Sequence, residues 1–279
     1  MKIQTVCVCG AGTMGSGIAQ LCAQSSFKTI LYDLDQSMIE KAKVAIENDL
    51  DLLVQKGKLD STLRVMDLLQ FTNNIQECSA DLIIEAIVEK ESIKVSLFKQ
   101  LEKINSNDSI LASNTSSLSI TSIAEQLTNK ENVTGVHFFN PAQIMRLVEI
   151  VRTKYNNQAL TDVLISFTKQ LGKTPVVCSD SPGFIVNHVA RPYYLESLRL
   201  VEEGHADFET VDELLQSSGF KMGPFRLMDL IGNDINYAVS CSVYEALGKP
   251  ERLKPSSIQK QKVDAGELGK KSKKGYYQY

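Results

Sequence analysis

Along the first two thirds of the chain, apolar residues recur in two alternating rhythms. Short runs rich in β-branched residues read as strands: "IQTVCVC" (3–9), "KTILYD" (28–33), "ADLIIEAIVE" (80–89), "SILASNTS" (109–116, with its exit loop), "NVTGVHFF" (132–139), "LVEIVRT" (147–153) and "TPVVCSD" (174–180). Between them lie segments of helical period, "GAGTMGSGIAQLCAQSS" after its opening glycines, "DQSMIEKAKVAIENDLDLLVQKGKL", "SIKVSLFKQLEKI" and "ALTDVLISFTKQLG". Strands alternating with helices predict an α/β domain with a parallel, doubly wound sheet, an architecture that presents ligands at the carboxyl ends of its strands. Beyond "SPGF" (181–184) the rhythm changes: "HVARPYYLESLRLVEEG", "DFETVDELLQSSG" and "RLMDLIGNDINYAVSCSVYEALG" are all helical in period. A boundary near residue 183 follows, giving 1–183 as the sheet domain and 184–279 as an all-helical one.

A chain of 279 residues suits two such domains. A net charge of -3, with 43% hydrophobic and 23% charged residues, fits an ordinary globular protein and argues against a nucleic-acid partner. The N-terminus lacks the look of a secretory or transit leader, and no apolar run approaches a membrane span, so a cytoplasmic protein with no membrane partner is expected. Its six cysteines have neither zinc-site nor disulfide spacing and read as reduced, buried, small apolar residues. Cys7 and Cys9 share one face of a strand, which reads as packing, and no metal is expected. The basic run "KKSKKG" (270–275) reads, taken alone, as a solvated tail.

Gly10, Gly12 and Gly15 form GxGxxG, a weak signal in isolation. Here it follows a strand and opens a helix, and Asp33 ends the second strand about twenty residues on, as a dinucleotide fingerprint of the Rossmann type requires. Gly10 would allow the tight turn, Gly12 the approach of a pyrophosphate and Gly15 close helix–strand packing, with Thr13 and Met14 beside them at the helix start, where amide hydrogens face the phosphates. A carboxylate at Asp33 suits ribose hydroxyls and repels a 2′-phosphate, so NAD is expected as cofactor rather than NADP.

Hydride chemistry needs a partner for the proton. Of three histidines, His205 lies in a polar turn, His188 could be packed or exposed, and His137 ends a strand of the cofactor sheet. Glu149, in the next apolar run, could hold the imidazole's tautomer and stabilise its protonated form, leaving His137 to act as general base. In "SNTSSLS" (113–119), Thr115, Ser116 and Ser117 offer hydroxyls for catalysis or for capping the next helix. Asn187, among apolar residues in "GFIVNHV", offers an amide to a substrate oxygen.

The series "GAGTMGSGIAQ", "SNTSSLSI", "GVHFFNPA", "SPGFIVN", "GPFRLMDLIG" and "GKKSKKGYY" runs the length of the chain. In it the sequence resembles the short-chain 3-hydroxyacyl-CoA dehydrogenases, most of all the bacterial 3-hydroxybutyryl-CoA dehydrogenases. The resemblance implies reversible oxidation of a (3S)-3-hydroxyacyl-CoA by NAD, with His137 as base, Glu149 as its partner, and Ser116 and Asn187 binding the oxygen at C3. It implies further cofactor contacts at Glu89, Lys94, Asn140 and Lys271, which revises the reading of the basic tail, and a contact of Lys56 with CoA phosphates. Asp49 stands where some relatives have serine. A homodimer formed through the helical domain is also implied. Alternatives are a 3-hydroxyadipyl-CoA dehydrogenase of aromatic-compound breakdown, with Arg191 or Arg226 meeting the distal carboxylate, a dehydrogenase of a free hydroxy acid, and an inactive NAD-binding sensor.

Overall fold

The computed structural model describes residues 2–279. The chain divides into two compact units, one running to Asp180 and the other Ser181–Tyr279, close to the joint expected at residue 183.

The first unit is built on an eight-stranded sheet of order β3-β2-β1-β4-β5-β6-β7-β8. Its strands are β1 Thr5–Cys9, β2 Lys28–Tyr32, β3 Leu69–Thr72, β4 Leu82–Glu85, β5 Ile110–Ser113, β6 Val133–Phe138, β7 Leu147–Arg152 and β8 Thr174–Ser179. Helices α1 Thr13–Gln24, α2 Gln36–Gln55, α3 Thr62–Met66, α4 Glu91–Ile104, α5 Ile120–Glu125 and α6 Gln158–Gln170 connect them. The long helix α2 starts where the Asp35 side chain accepts from Ser37 N, and it buries Ile39, Ala42, Ile46 and Leu50, one stripe at helical spacing. Val6, Val8, Leu31, Leu82 and Ile84 join that stripe and α1 in one core.

Two features depart from the expected pattern. Strands β1 to β6 are parallel, but β6 and β7 pair antiparallel, and β8 then runs parallel to β7. An antiparallel pair needs only a short connection, here residues 139–146, where a parallel one needs a crossover helix. The second departure is β3, an edge strand of four residues that the periodicity did not disclose because only Leu69 and Thr72 are buried.

The second unit is helical: α7 Val186–Glu202, α8 Phe208–Ser217, α9 Pro224–Ile231, α10 Asn233–Ala246 and α11 Ser257–Asp264. The stretch 226–248, read as one helical run, is two helices, since Gly232 at φ +105° breaks it between α9 and α10. Phe208, Phe225 and Tyr276 meet in a triangle with ring centroids 4.8–4.9 Å apart. Two buried acids tie the unit together. Asp212 accepts from the Phe225 and Arg226 amides at 2.9 and 3.0 Å, and Asp229 accepts from those of Tyr276 and Tyr277, both at 3.0 Å. The chain is thus pinned just after the basic run 270–275, whose lysine side chains are exposed. No helix among the described residues is long and apolar enough to cross a membrane.

Candidate active site

The glycines of the first turn have separate physical reasons. Gly10 has φ +107°, donates its N–H to Tyr32 O at 2.7 Å, and would place a Cβ 2.5 Å from Ala86 O. A Cβ on Gly15 would lie 1.7 Å from Gly10 O, so α1 can approach β1 only with glycine there. Gly12 differs from both: its φ is -72° and a Cβ would meet nothing within 4 Å. No described residue fills that space, which suits a ligand held against the first-turn amides of α1, where Thr13 is exposed and Met14 half-buried. The residues present therefore fit the dinucleotide.

Asp33 follows β2 and is fixed from below, its Oδ2 accepting from Ala11 N at 2.7 Å and Oδ1 from Asp35 N at 2.9 Å. The carboxylate is held facing the glycine turn, with lone pairs left for a diol.

At the other side of the sheet centre, His137 and Glu149 are register partners across the antiparallel β6–β7 pair. Opposite residues project on the same face, so their twelve-residue spacing is what brings the side chains together. His137 Nδ1 lies 2.7 Å from Glu149 Oε2, with His137 6% and Glu149 0% exposed. The Phe139 ring sits beside the imidazole at a centroid distance of 4.5 Å. Burial makes a lone carboxylate costly, and the imidazole offsets that cost.

The loop after β5 is pinned to the same place. Asn114 Oδ1 accepts from Phe138 N at 2.8 Å, so the residue before Thr115 is tied to the one after His137. Ser116, two positions on, is half-buried. Thr115 and Ser117 are engaged elsewhere, both hydroxyls donating to Glu89, Ser117 at 3.0 Å. The cap of α5 is Ser119, which accepts from Ser122 N at 3.2 Å, not one of the three hydroxyls named as capping candidates.

A polar network underlies this loop. Glu85, fully buried at the end of β4, accepts from Ile87 N (2.8 Å), Lys94 Nζ (2.6 Å) and Ser113 Oγ (2.6 Å). Lys94, 1% exposed on α4, also reaches Glu89 at 3.1 Å. Partial burial pushes the Glu89 carboxyl up, but Lys94 and the Thr115 and Ser117 hydroxyls outweigh it and hold its pKa below the usual carboxylate range. Glu85 and Asn114 were missed in the sequence. A carboxylate inside "LIIEAIV" carries the same signal that singled out Glu149.

Asn140 is exposed in the 139–146 connection, which Lys173 clamps by donating to Gln143 O (3.0 Å) and Met145 O (2.8 Å). Lys56, at the C-cap of α2, is exposed. In the second unit, Asn187 is half-buried in the first turn of α7, while Lys271 pairs with Asp234 at 2.6 Å. His188 is exposed, its Nδ1 3.2 Å from Pro182 O, and His205 is exposed beside Glu203 at 3.3 Å. Arg191 is 3% exposed and spends its donors on neutral acceptors, Asn187 O, Asn236 O and Ser240 Oγ, with burial lowering its pKa to about 10. Arg226 is half-exposed, stacked 4.2 Å from the Tyr277 ring and 4.0 Å from Asp212.

Residues 5–181 match the family model for the 3-hydroxyacyl-CoA dehydrogenase NAD binding domain, and residues 183–279 that for its C-terminal domain. A 3-hydroxyadipyl-CoA dehydrogenase of Escherichia coli is 43% identical across 100% of this chain, which spans only 60% of that relative's length. A probable 3-hydroxybutyryl-CoA dehydrogenase of Deinococcus radiodurans is 39% identical over 98% of this chain and 99% of its own. The crystal structure of a 3-hydroxybutyryl-CoA dehydrogenase from Escherichia coli superposes with a TM-score of 0.96 at 43% identity, over 100% of this chain and 60% of that one.

Proposed function

The chain belongs to the 3-hydroxyacyl-CoA dehydrogenase family, and from that membership we propose that it interconverts a (3S)-3-hydroxyacyl-CoA, 3-hydroxybutyryl-CoA in the first place, and the 3-oxoacyl-CoA. The observation that carries the reading is the buried His137–Glu149 contact of 2.7 Å on the sheet that also carries the glycine turn. Bound NAD supplies the acceptor for the hydride that leaves C3. With Nδ1 committed to Glu149, His137 takes the 3-hydroxyl proton at Nε2 and, in reduction, returns it to the forming alkoxide. Glu149 fixes the tautomer and offsets the positive charge that the ring gains. Ser116 and Asn187 are assigned to the oxygen at C3 by their place in the family motifs. Gly10, Gly12, Gly15 and Asp33 hold the dinucleotide, with Thr13 and Met14 at the helix start. Glu89, Lys94, Asn140 and Lys271 are its further contacts in this reading, and Lys56 a contact for CoA phosphate. We place the enzyme in the cytoplasm and read it as a homodimer, the latter supported by large apolar side chains exposed on the second unit, Val189 and Leu214 on its helices and Phe220 in the loop between α8 and α9.

A second reading, a 3-hydroxyadipyl-CoA dehydrogenase, is favoured by the 43% identity to the relative of that name. Against it stands the disposition of Arg191 and Arg226, the cations considered for a distal carboxylate, since both are occupied within their own unit. NADH consumption with acetoacetyl-CoA, 3-oxoadipyl-CoA and free acetoacetate separates the possibilities. Higher kcat/KM on acetoacetyl-CoA is the expected result. Preference for the adipyl thioester would move the substrate to the dicarboxylic series, preference for free acetoacetate would remove CoA from it, and NADH binding without turnover would leave a sensor.

A further inference from the structure

The strand that leads into the glycine turn carries a second cluster that the dehydrogenase chemistry does not use. Val6 and Val8 of β1 face the main core. Strand alternation therefore sends Cys7 and Cys9 to the opposite face, where a third thiol, Cys78, arrives from the loop between the short 3-10 turn Ile75–Glu77 and β4. All three residues are 0% exposed, and their sulfurs all lie within 4.8 Å of one another, with Cys7 Sγ and Cys9 Sγ 3.9 Å apart. Two cysteines alternating on one strand read as packing. Three thiols converging from segments about seventy residues apart in the chain form a ligand set.

We propose that Cys7, Cys9 and Cys78 form a three-sulfur binding site for a soft monovalent d10 cation, Cu(I). Three thiolates bound at about 2.3 Å to one ion in a plane stand ~4 Å from each other, the spacing already found for Cys7 and Cys9. Structural zinc takes four ligands, and among the described residues no fourth cysteine, histidine or carboxylate joins the group. Iron–sulfur clusters likewise draw on four protein ligands. A dry, all-sulfur, three-donor pocket selects the softest and least-coordinated of the thiophilic ions.

Binding the ion displaces the S–H protons of the cluster to solvent with no change of oxidation state at sulfur or metal, so affinity rises with pH. There is also a way in: Cys78 is flanked in sequence by exposed Glu77 and Ser79, so the cluster is covered on that side by a single loop.

The test is anaerobic titration of the reduced full-length protein against the coloured Cu(I)–bathocuproine disulfonate complex, together with X-ray absorption of the product. The expected result is withdrawal of one Cu(I) per chain with a shell of three sulfurs. Cys78→Ser should weaken binding by more than the roughly 10- to 100-fold that loss of an outer-shell partner costs. Cys241→Ser, outside the cluster, should leave it unchanged. Failure to take copper from the chelator, a two-sulfur shell, or undiminished uptake by Cys78→Ser would each overturn the assignment. The absorption measurement uses only the wild-type chain and stands even if a core cysteine variant fails to fold.

Discussion

Glu85 and Glu149 make an instructive pair. Both are acids on interior strands of one sheet, both are 0% exposed, and each holds a cationic or basic group on its own face at 2.6 and 2.7 Å. They differ in the partner. The partner of Glu85 is the Lys94 amine, and Glu85 meets it with two further donors already in place, the Ile87 amide and the Ser113 hydroxyl. The partner of Glu149 is an imidazole, the side chain suited to take up and release a proton in an acid–base step. The same buried carboxylate is therefore a fixed joint in one position and, in the reading advanced above, a device for tolerating a changing charge in the other.

The largest expected effect comes from the changing pair. His137→Ala should lower kcat by roughly 10² to 10⁴, the range of general acid–base catalysis, with NADH binding followed by fluorescence nearly intact. Glu149→Gln should also act on kcat more than on NADH affinity. Wild-type kinetics for Glu149→Gln across the pH range would dissolve the contrast, because a carboxylate that does nothing for the proton step is merely structural, like Glu85.

Much of this contrast was legible in the sequence. Gly10, Gly12, Gly15 and Asp33 follow from local geometry, since turn, helix start and strand end lie within one βαβ unit. The His137–Glu149 contact was read from two titratable residues in apolar runs, but its cause, antiparallel register, was not, because a period-2 pattern is the same in either strand direction. Chain direction depends on the length and path of the 139–146 connection, which Lys173 stabilises from a distant position. Glu85 escaped for a related reason: its partner Lys94 reads as one more charge on an amphipathic helix until the fold turns it inward. The break at Gly232 was hidden because α9 and α10 share a helical period on both sides of it.

The fixed joint should fail differently. Lys94→Met leaves Glu85 buried without its ammonium, and breaking a buried pair from one side costs about 3–5 kcal/mol of folding stability. Urea denaturation would show this as a lower midpoint. The double variant Glu85→Gln/Lys94→Met, with no charge left to bury, should recover much of the loss. A double variant as unstable as the single one would mean that Lys94 acts through its packing, and the electrostatic half of the comparison would be wrong.

The smallest effect belongs to Glu89, which shares Lys94 with Glu85 but has a side chain 41% exposed. Its carboxyl is held below the usual carboxylate range, since Lys94 and two hydroxyls outweigh partial burial. A depressed folded-state pKa contributes stability that is fully present above the unfolded value and is lost as pH falls through the folded one. Glu89→Gln should thus lower the wild-type melting temperature in full above about pH 4.5, by the equivalent of no more than about 1 kcal/mol, as for exposed ion pairs, and the two proteins should converge as the pH falls below that value through the lowered folded-state one. A gap that persisted unchanged at low pH would show that Glu89 is valued for its shape against Thr115 and Ser117. Because Glu85 remains to neutralise Lys94, removing this second carboxylate strands no buried charge, which is why its loss should be mild where that of Lys94 is not.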